Sequence, residues 1–124
     1  FAVTRYGNVA GSNGSVVPIW ERLIQEGADT VPVTSPDCTR FYMRIGQAVE
    51  LVLSLSKTMK GGEMLIPELP AYRLGDLAEA MGVKMDIRGL PDYEKLHEGM
   101  KAGMTSDVAR RMTVDELKKE LAHA

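Results

Sequence analysis

The 124-residue chain sets 15 Lys and Arg against 17 Asp and Glu, for a net charge of −2, and 44% of its residues are hydrophobic. That length holds one domain or part of a larger one, and the scattered basic residues exclude a nucleic-acid footprint or a polybasic membrane anchor. A single cysteine, Cys38, excludes an internal disulfide, and with no signal peptide and no apolar run able to cross a bilayer a cytoplasmic protein is expected.

Residues 1–6 read as a buried, apolar and β-branched strand, followed by a loop over 7–15 with Gly7, Gly11 and Gly14. Ser15 and Pro18 then introduce a helix over 16–26, with Ile19, Trp20, Leu23 and Ile24 on one face and Gly27 as its stop. Strand, glycine-rich loop and helix start together offer backbone N–H groups to an anion. Trp20 reads as a packing residue rather than a stacking platform, given the area an indole buries. The runs Thr30–Thr34 and Thr39–Ile45, separated by Ser35-Pro36-Asp37, predict short strands near the surface. A helix over 45–59 repeats Ile45, Ala48, Val49, Val52, Leu55 and Met59 at helical spacing. Leu51 and Leu53 widen its apolar face, which predicts burial between two layers.

After Gly61-Gly62, Glu63 to Pro67 reads as a short strand ended by proline, 72–81 as an amphipathic helix closed by Gly82, and Val83 to Arg88 as an alternating strand. A short helical piece is expected at 93–100 and an irregular span at 101–112. Thr113 with Glu116 forms a capping box for a last helix. Alternating strands and helices predict an α/β architecture. Because the chain opens at Phe1 inside an apolar strand, which alone would be an unprotected sheet edge, a fragment of a longer enzyme is expected.

Among the polar residues, Asn8 stands at a strand end, where its amide can donate to a phosphate or sugar oxygen or simply shape a turn. Ser15 and Val16 stand where helix N–H groups are unpaired, as anion donors or as an ordinary cap. Arg40 offers bidentate, permanently charged contact to a diphosphate, against the plainer alternative of a surface ion pair with Asp37. His97 and Glu98 have no second ligand cluster and predict no metal. Cys38 has no basic neighbour to activate it.

The ordered set Arg5-Tyr6-Gly7-Asn8-Val9, Gly11-Ser12-Asn13-Gly14-Ser15-Val16-Val17-Pro18, Thr39-Arg40-Phe41-Tyr42-Met43, Gly61-Gly62-Glu63, Gly75-Asp76-Leu77-Ala78-Glu79-Ala80, Glu94-Lys95-Leu96-His97-Glu98 and Met112-Thr113-Val114-Asp115-Glu116-Leu117 covers nearly the whole chain. It resembles the UDP-N-acetylglucosamine 4,6-dehydratase group of polysaccharide-biosynthesis enzymes, within the extended short-chain dehydrogenase/reductases. The resemblance implies the C-terminal part of a Rossmann-type fold with its sugar-nucleotide-binding lobe. It makes residues 1–124 one substrate-binding portion, 1–9 a late strand of the sheet, and 61–88 a strand–helix–strand returning to it.

By the same resemblance Asn8, Ser15, Val16, Thr30, Arg40 and Glu94 face the UDP-sugar, Glu94 accepting from the ribose or base, and Val9 lies along the cofactor. Two departures put the substrate's identity in doubt: Asn13 and Pro91 stand where many members carry arginine. The Thr-Gly-x-x-Gly-x-x-Gly loop and the Tyr-x-x-x-Lys pair of the group do not occur in this sequence. NAD(P) is therefore expected only in the complete enzyme, and the isolated chain is expected to be inactive. The implied partners are a UDP-sugar, the missing Rossmann half and a second copy of the complete enzyme. The competing readings are a UDP-sugar 4-epimerase portion and a non-catalytic α/β nucleotide-binding or subunit-interaction module.

Overall fold

The computed structural model describes residues 3–4, 9, 16–62, 64–92, 94–101 and 103–122. In chain order its elements are β1 (Val3–Thr4), α1 (Val16–Gln25), β2 (Thr30–Val33), β3 (Thr39–Phe41), α2 (Ile45–Thr58), β4 (Met64–Leu65), β5 (Ala71–Arg73), α3 (Leu74–Met81), β6 (Lys84–Ile87), β7 (Gly99–Lys101), β8 (Met104–Thr105) and α4 (Val114–Ala122). β1 pairs with β4 and β2 with β6, both parallel, whereas β3–β5 and β7–β8 are antiparallel. This is a mixed α/β chain.

Residues 64–88 contribute strands to three sheets. β4 lies beside β1, β5 beside β3, and β6 beside β2, the last in register from Thr30 opposite Lys84 to Val33 opposite Ile87. The sequence pattern of β2 explains why it accepts a neighbour there. Val31 and Val33 point inward and are buried, while Thr30 and Pro32 alternate outward and are exposed. β2 and β3 are therefore not the surface strands their proline-flanked runs predict: Thr39 and Phe41 are buried as well.

Two apolar clusters lie among these elements. The first gathers Trp20, Val31, Val33, Cys38, Leu77 and Leu117. The second gathers Phe41, Met43, Ala48, Leu69, Ala71 and Met100. Trp20 is a core residue, as its size suggests. Leu117 is almost wholly enclosed, a burial that stabilises the fold by about 2 kcal/mol. Its helix starts at the capping box read from the sequence: the Glu116 amide donates to Thr113 Oγ1 at 3.1 Å and the Thr113 amide to Glu116 Oε1 at 3.2 Å. Gly27, at φ +92°, lets α1 close with its amide on the Ile24 carbonyl at 3.0 Å.

Two expectations fail. Where a helical piece is predicted at 93–100, the described residues 94–98 are irregular and 99–100 belong to β7, because the Leu96 carbonyl and the Glu98 carboxylate are drawn sideways to the open edge of β3. And α2, expected between two layers, is covered on one side only. Ala48 and Leu55 are buried, while Ile45, Val49, Val52 and Leu53 stay about half exposed or more, and no described residue covers them. At 100° per residue those four form a stripe beside the buried one. It adjoins β1, with which α2 packs and whose Val3 is likewise exposed.

Candidate functional site

β3 has one edge paired and one edge open to side chains. β5 takes the inner edge, with Arg40 opposite Tyr72. On the outer edge the Thr39 amide donates to the Leu96 carbonyl at 2.9 Å, and the Phe41 amide donates to Glu98 Oε1 at 3.0 Å. Residues 94–98 thus stand in for a neighbouring strand, with a carboxylate supplying one of the acceptors.

Arg40 spans this junction. Its Nη1 donates to the Thr39 carbonyl at 2.7 Å and the Leu96 carbonyl at 2.9 Å. Its Nη2 donates to the Lys95 carbonyl at 2.7 Å and to Glu94 Oε1 at 3.4 Å. The Arg40 side chain is 13% exposed and that of Glu94 32%. Residues 54 positions apart in the chain, Arg40 and Glu94 therefore meet as an ion pair. Asp37, the partner suggested by sequence proximity, pairs instead with Arg73 at 3.1 Å. Because its contact with Arg40 is long, Glu94 retains acceptor capacity for neighbouring hydroxyls.

Beneath the pair lies a polar network that the sequence does not announce. Thr39 Oγ1 and Ser106 Oγ are 2.7 Å apart, both side chains buried, and Thr39 Oγ1 also bonds His97 Nδ1. The Glu98 amide donates to Ser106 Oγ at 2.8 Å, and the Ser106 hydroxyl donates to the Thr39 carbonyl at 3.1 Å. His97 is thus a partner of a buried threonine; among the described residues no group of His, Cys, Asp or Glu could hold a metal. In the sequence Ser106 reads only as a turn residue of an irregular span.

The remaining expected site residues are spread more widely. Val16 opens α1 and packs half-buried against the first cluster, and Thr30 opens β2, exposed. Val9 forms a parallel bridge with Met43, two residues past the end of β3. Asn8 and Ser15 lie outside the described residues. Tyr72, opposite Arg40, is buried, and Tyr42, two residues beyond Arg40, is half-buried. Burial first, then the charge of Glu98, pushes the Tyr72 phenol up to about 12 against the opposing pull of Arg40. Tyr42, whose hydroxyl donates to Glu120 at 3.2 Å, is also pushed up to about 12, by burial and then by that carboxylate.

Residues 1–118 match the family described as polysaccharide biosynthesis protein. The chain belongs to that family. A UDP-N-acetylglucosamine 4,6-dehydratase (inverting) of Campylobacter jejuni is 47% identical over 102 residues, covering 81% of this chain and 30% of that protein. A UDP-glucose 4-epimerase of Rickettsia canadensis is 36% identical over 104 residues, covering 79% of this chain and 30% of that protein. The fold is shared with the X-ray structure of Pen from Bacillus thuringiensis, at a TM-score of 0.89 and 30% identity over 99% of this chain and 48% of that one. The chain thus spans under a third of the curated relatives it matches. No helix among the described residues is long and apolar enough to cross a membrane.

Proposed function

We propose that this chain is the C-terminal, substrate-binding portion of an NDP-sugar 4,6-dehydratase-like enzyme of polysaccharide biosynthesis that acts on a UDP-N-acetylhexosamine. One observation carries the reading. Arg40 and Glu94, each assigned to the nucleotide by its motif, converge to 3.4 Å at the open edge of β3. A guanidinium suits the diphosphate and a carboxylate suits the two ribose hydroxyls. Four N–H groups of Arg40 already bond protein acceptors. Ligand phosphate meets the fifth donor, Nε–H, and to be held by two N–H groups it replaces one of these four bonds, of which the long one to Glu94 is the cheapest to give up. That exchange frees Glu94 to turn to the ribose. Asn8, Ser15, Val16 and Thr30 complete the substrate side of the proposal.

The residues of this chain do not by themselves make a dinucleotide site. The sequence lacks the Thr-Gly-x-x-Gly-x-x-Gly loop, and Val9 offers only an apolar contact. NAD(P), held by a Rossmann half beyond this chain, would supply the hydride chemistry; the residues here bind and orient the sugar nucleotide. The uncovered stripe of α2 supports such a half as its occupant. A second reading, a UDP-sugar 4-epimerase, has the Rickettsia relative in its favour at lower identity than the dehydratase.

Product analysis tests the proposal. The complete protein bearing this chain should convert UDP-N-acetylglucosamine to a 4-keto-6-deoxy product, and the 124-residue chain alone should not. Formation of UDP-N-acetylgalactosamine would favour the epimerase, and turnover by the isolated chain would overturn the division of labour.

A further inference from the structure

Burying hydroxyl groups is costly unless each finds a partner, so a buried pair marks a place where geometry is being fixed. Thr39 and Ser106 are the buried polar residues among those described, 67 positions apart in the chain, with their oxygens 2.7 Å apart. Ser106 Oγ accepts from the Glu98 amide at 2.8 Å and lies within donating distance of the Thr39 carbonyl at 3.1 Å. Between Thr39 Oγ1 and Ser106 Oγ either hydroxyl can donate, and His97 Nδ1 bonds Thr39 Oγ1 from the other side. Apart from the Glu98–Ser106 bond, every bond in the network joins Thr39 of β3 to His97 or Ser106.

The same Thr39 carbonyl accepts from Arg40 Nη1 at 2.7 Å. The network therefore bonds both to the backbone that carries Arg40 and, through Glu98, to the stretch that carries Glu94. We infer that Thr39 and Ser106 are positioning residues that set the separation of Arg40 and Glu94 and so the fit of the nucleotide between them. This rests on the reading of Arg40 and Glu94 as nucleotide contacts. Thr39 and Ser106 touch no substrate; they act by holding 94–98 against β3. Losing the Thr39 hydroxyl lets that segment shift by fractions of an ångström, which loosens two contacts at once.

The experiment is a double-mutant cycle read by UDP titration of the complete protein, with unfolding measured in parallel. Thr39→Val removes the hydroxyl and keeps the shape. It should weaken UDP by about fivefold to tenfold, the size of one neutral hydrogen bond. Thr39→Ser, which keeps the hydroxyl, should recover most of that loss. In an Arg40→Ala background Thr39→Val should lose most of its effect on UDP while its effect on unfolding persists, because distant independent changes add and coupled ones do not. If Thr39→Val does not fold, Ser106→Ala reads the same coupling from the other end. Equal weakening in both backgrounds, or none in the parent, overturns the positioning role even where Arg40→Ala itself weakens UDP. An Arg40→Ala protein with unchanged UDP affinity overturns instead the reading beneath it, and this inference with it.

Discussion

The open edge of β3 and the outer face of α2 begin from the same problem and resolve it differently. At β3, unpaired backbone donors are taken up by the Leu96 carbonyl and the Glu98 carboxylate, and among the described residues no buried side-chain N or O atom lacks a partner. At α2, Ile45, Val49, Val52 and Leu53 stay 45–64% exposed, although their spacing is that of a core helix. One region closes on itself with polar bonds of fixed geometry. The other carries apolar surface that the described residues leave uncovered. The polar edge is satisfied within the chain, whereas the apolar stripe is left without a cover among the described residues.

Four measurements bear on that contrast, in order of expected effect. Val52→Asp should change the unfolding free energy of the isolated chain by under about 0.5 kcal/mol. In the complete protein it should cost about 3 kcal/mol, the penalty for an unpaired charge in a buried contact. Denaturant titration of both forms decides it, and equal effects would mean that the stripe faces solvent throughout.

Alkaline unfolding probes the β3 side. The Tyr72 phenol is raised to about 12 in the folded chain from an ordinary 10, so the folded state holds its proton more tightly. Stability from this group is complete below pH 10 and is lost as pH rises through 12, on the order of 2–3 kcal/mol for a buried ring. Tyr72→Phe should flatten that fall between pH 10 and 12.

Ser106→Ala should destabilise by about 1–2 kcal/mol, because the Glu98 amide loses its acceptor inside the protein. Arg73→Ala, by contrast, breaks ion pairs to Asp37 and Asp76 whose Arg73 end is 37% exposed, and should cost less than about 1 kcal/mol. Thermal melts of the two variants, side by side, separate a buried network from a solvated one.

Helices were the legible part of this fold. Periodicity located α1, α2, α3 and α4, and Thr113 with Glu116 marked a start that the hydrogen bonds bear out. Strand partners were not legible, since Val83 to Arg88 alternates in the same way whether it lies beside β1 or β2. The exposure of α2 was hidden for a related reason: an apolar stripe states that it needs covering, not which part of the protein covers it. At the candidate site, motif resemblance singled out Arg40 and Glu94 but gave no sign that they meet. Thr39 and Glu98 stood out only as members of motifs and Ser106 only as a turn residue, because hydroxyl and carboxyl residues are ordinary at such positions, and only folding makes these three neighbours.

The most direct test of the nucleotide edge is UDP affinity of the complete protein carrying Arg40→Ala or Arg40→Lys, with thermal stability recorded for each. UDP keeps the phosphates and drops the sugar, so it isolates this end of the ligand. The account predicts that alanine weakens UDP by about tenfold to a hundredfold, the loss of one charge-assisted hydrogen bond of about 1.5–3 kcal/mol. Lysine should recover little, because a point charge cannot reproduce the fork. Unchanged UDP affinity alongside a lowered melting temperature would contradict it, and would leave Arg40 as the clamp that holds residues 94–96 to β3 and nothing more.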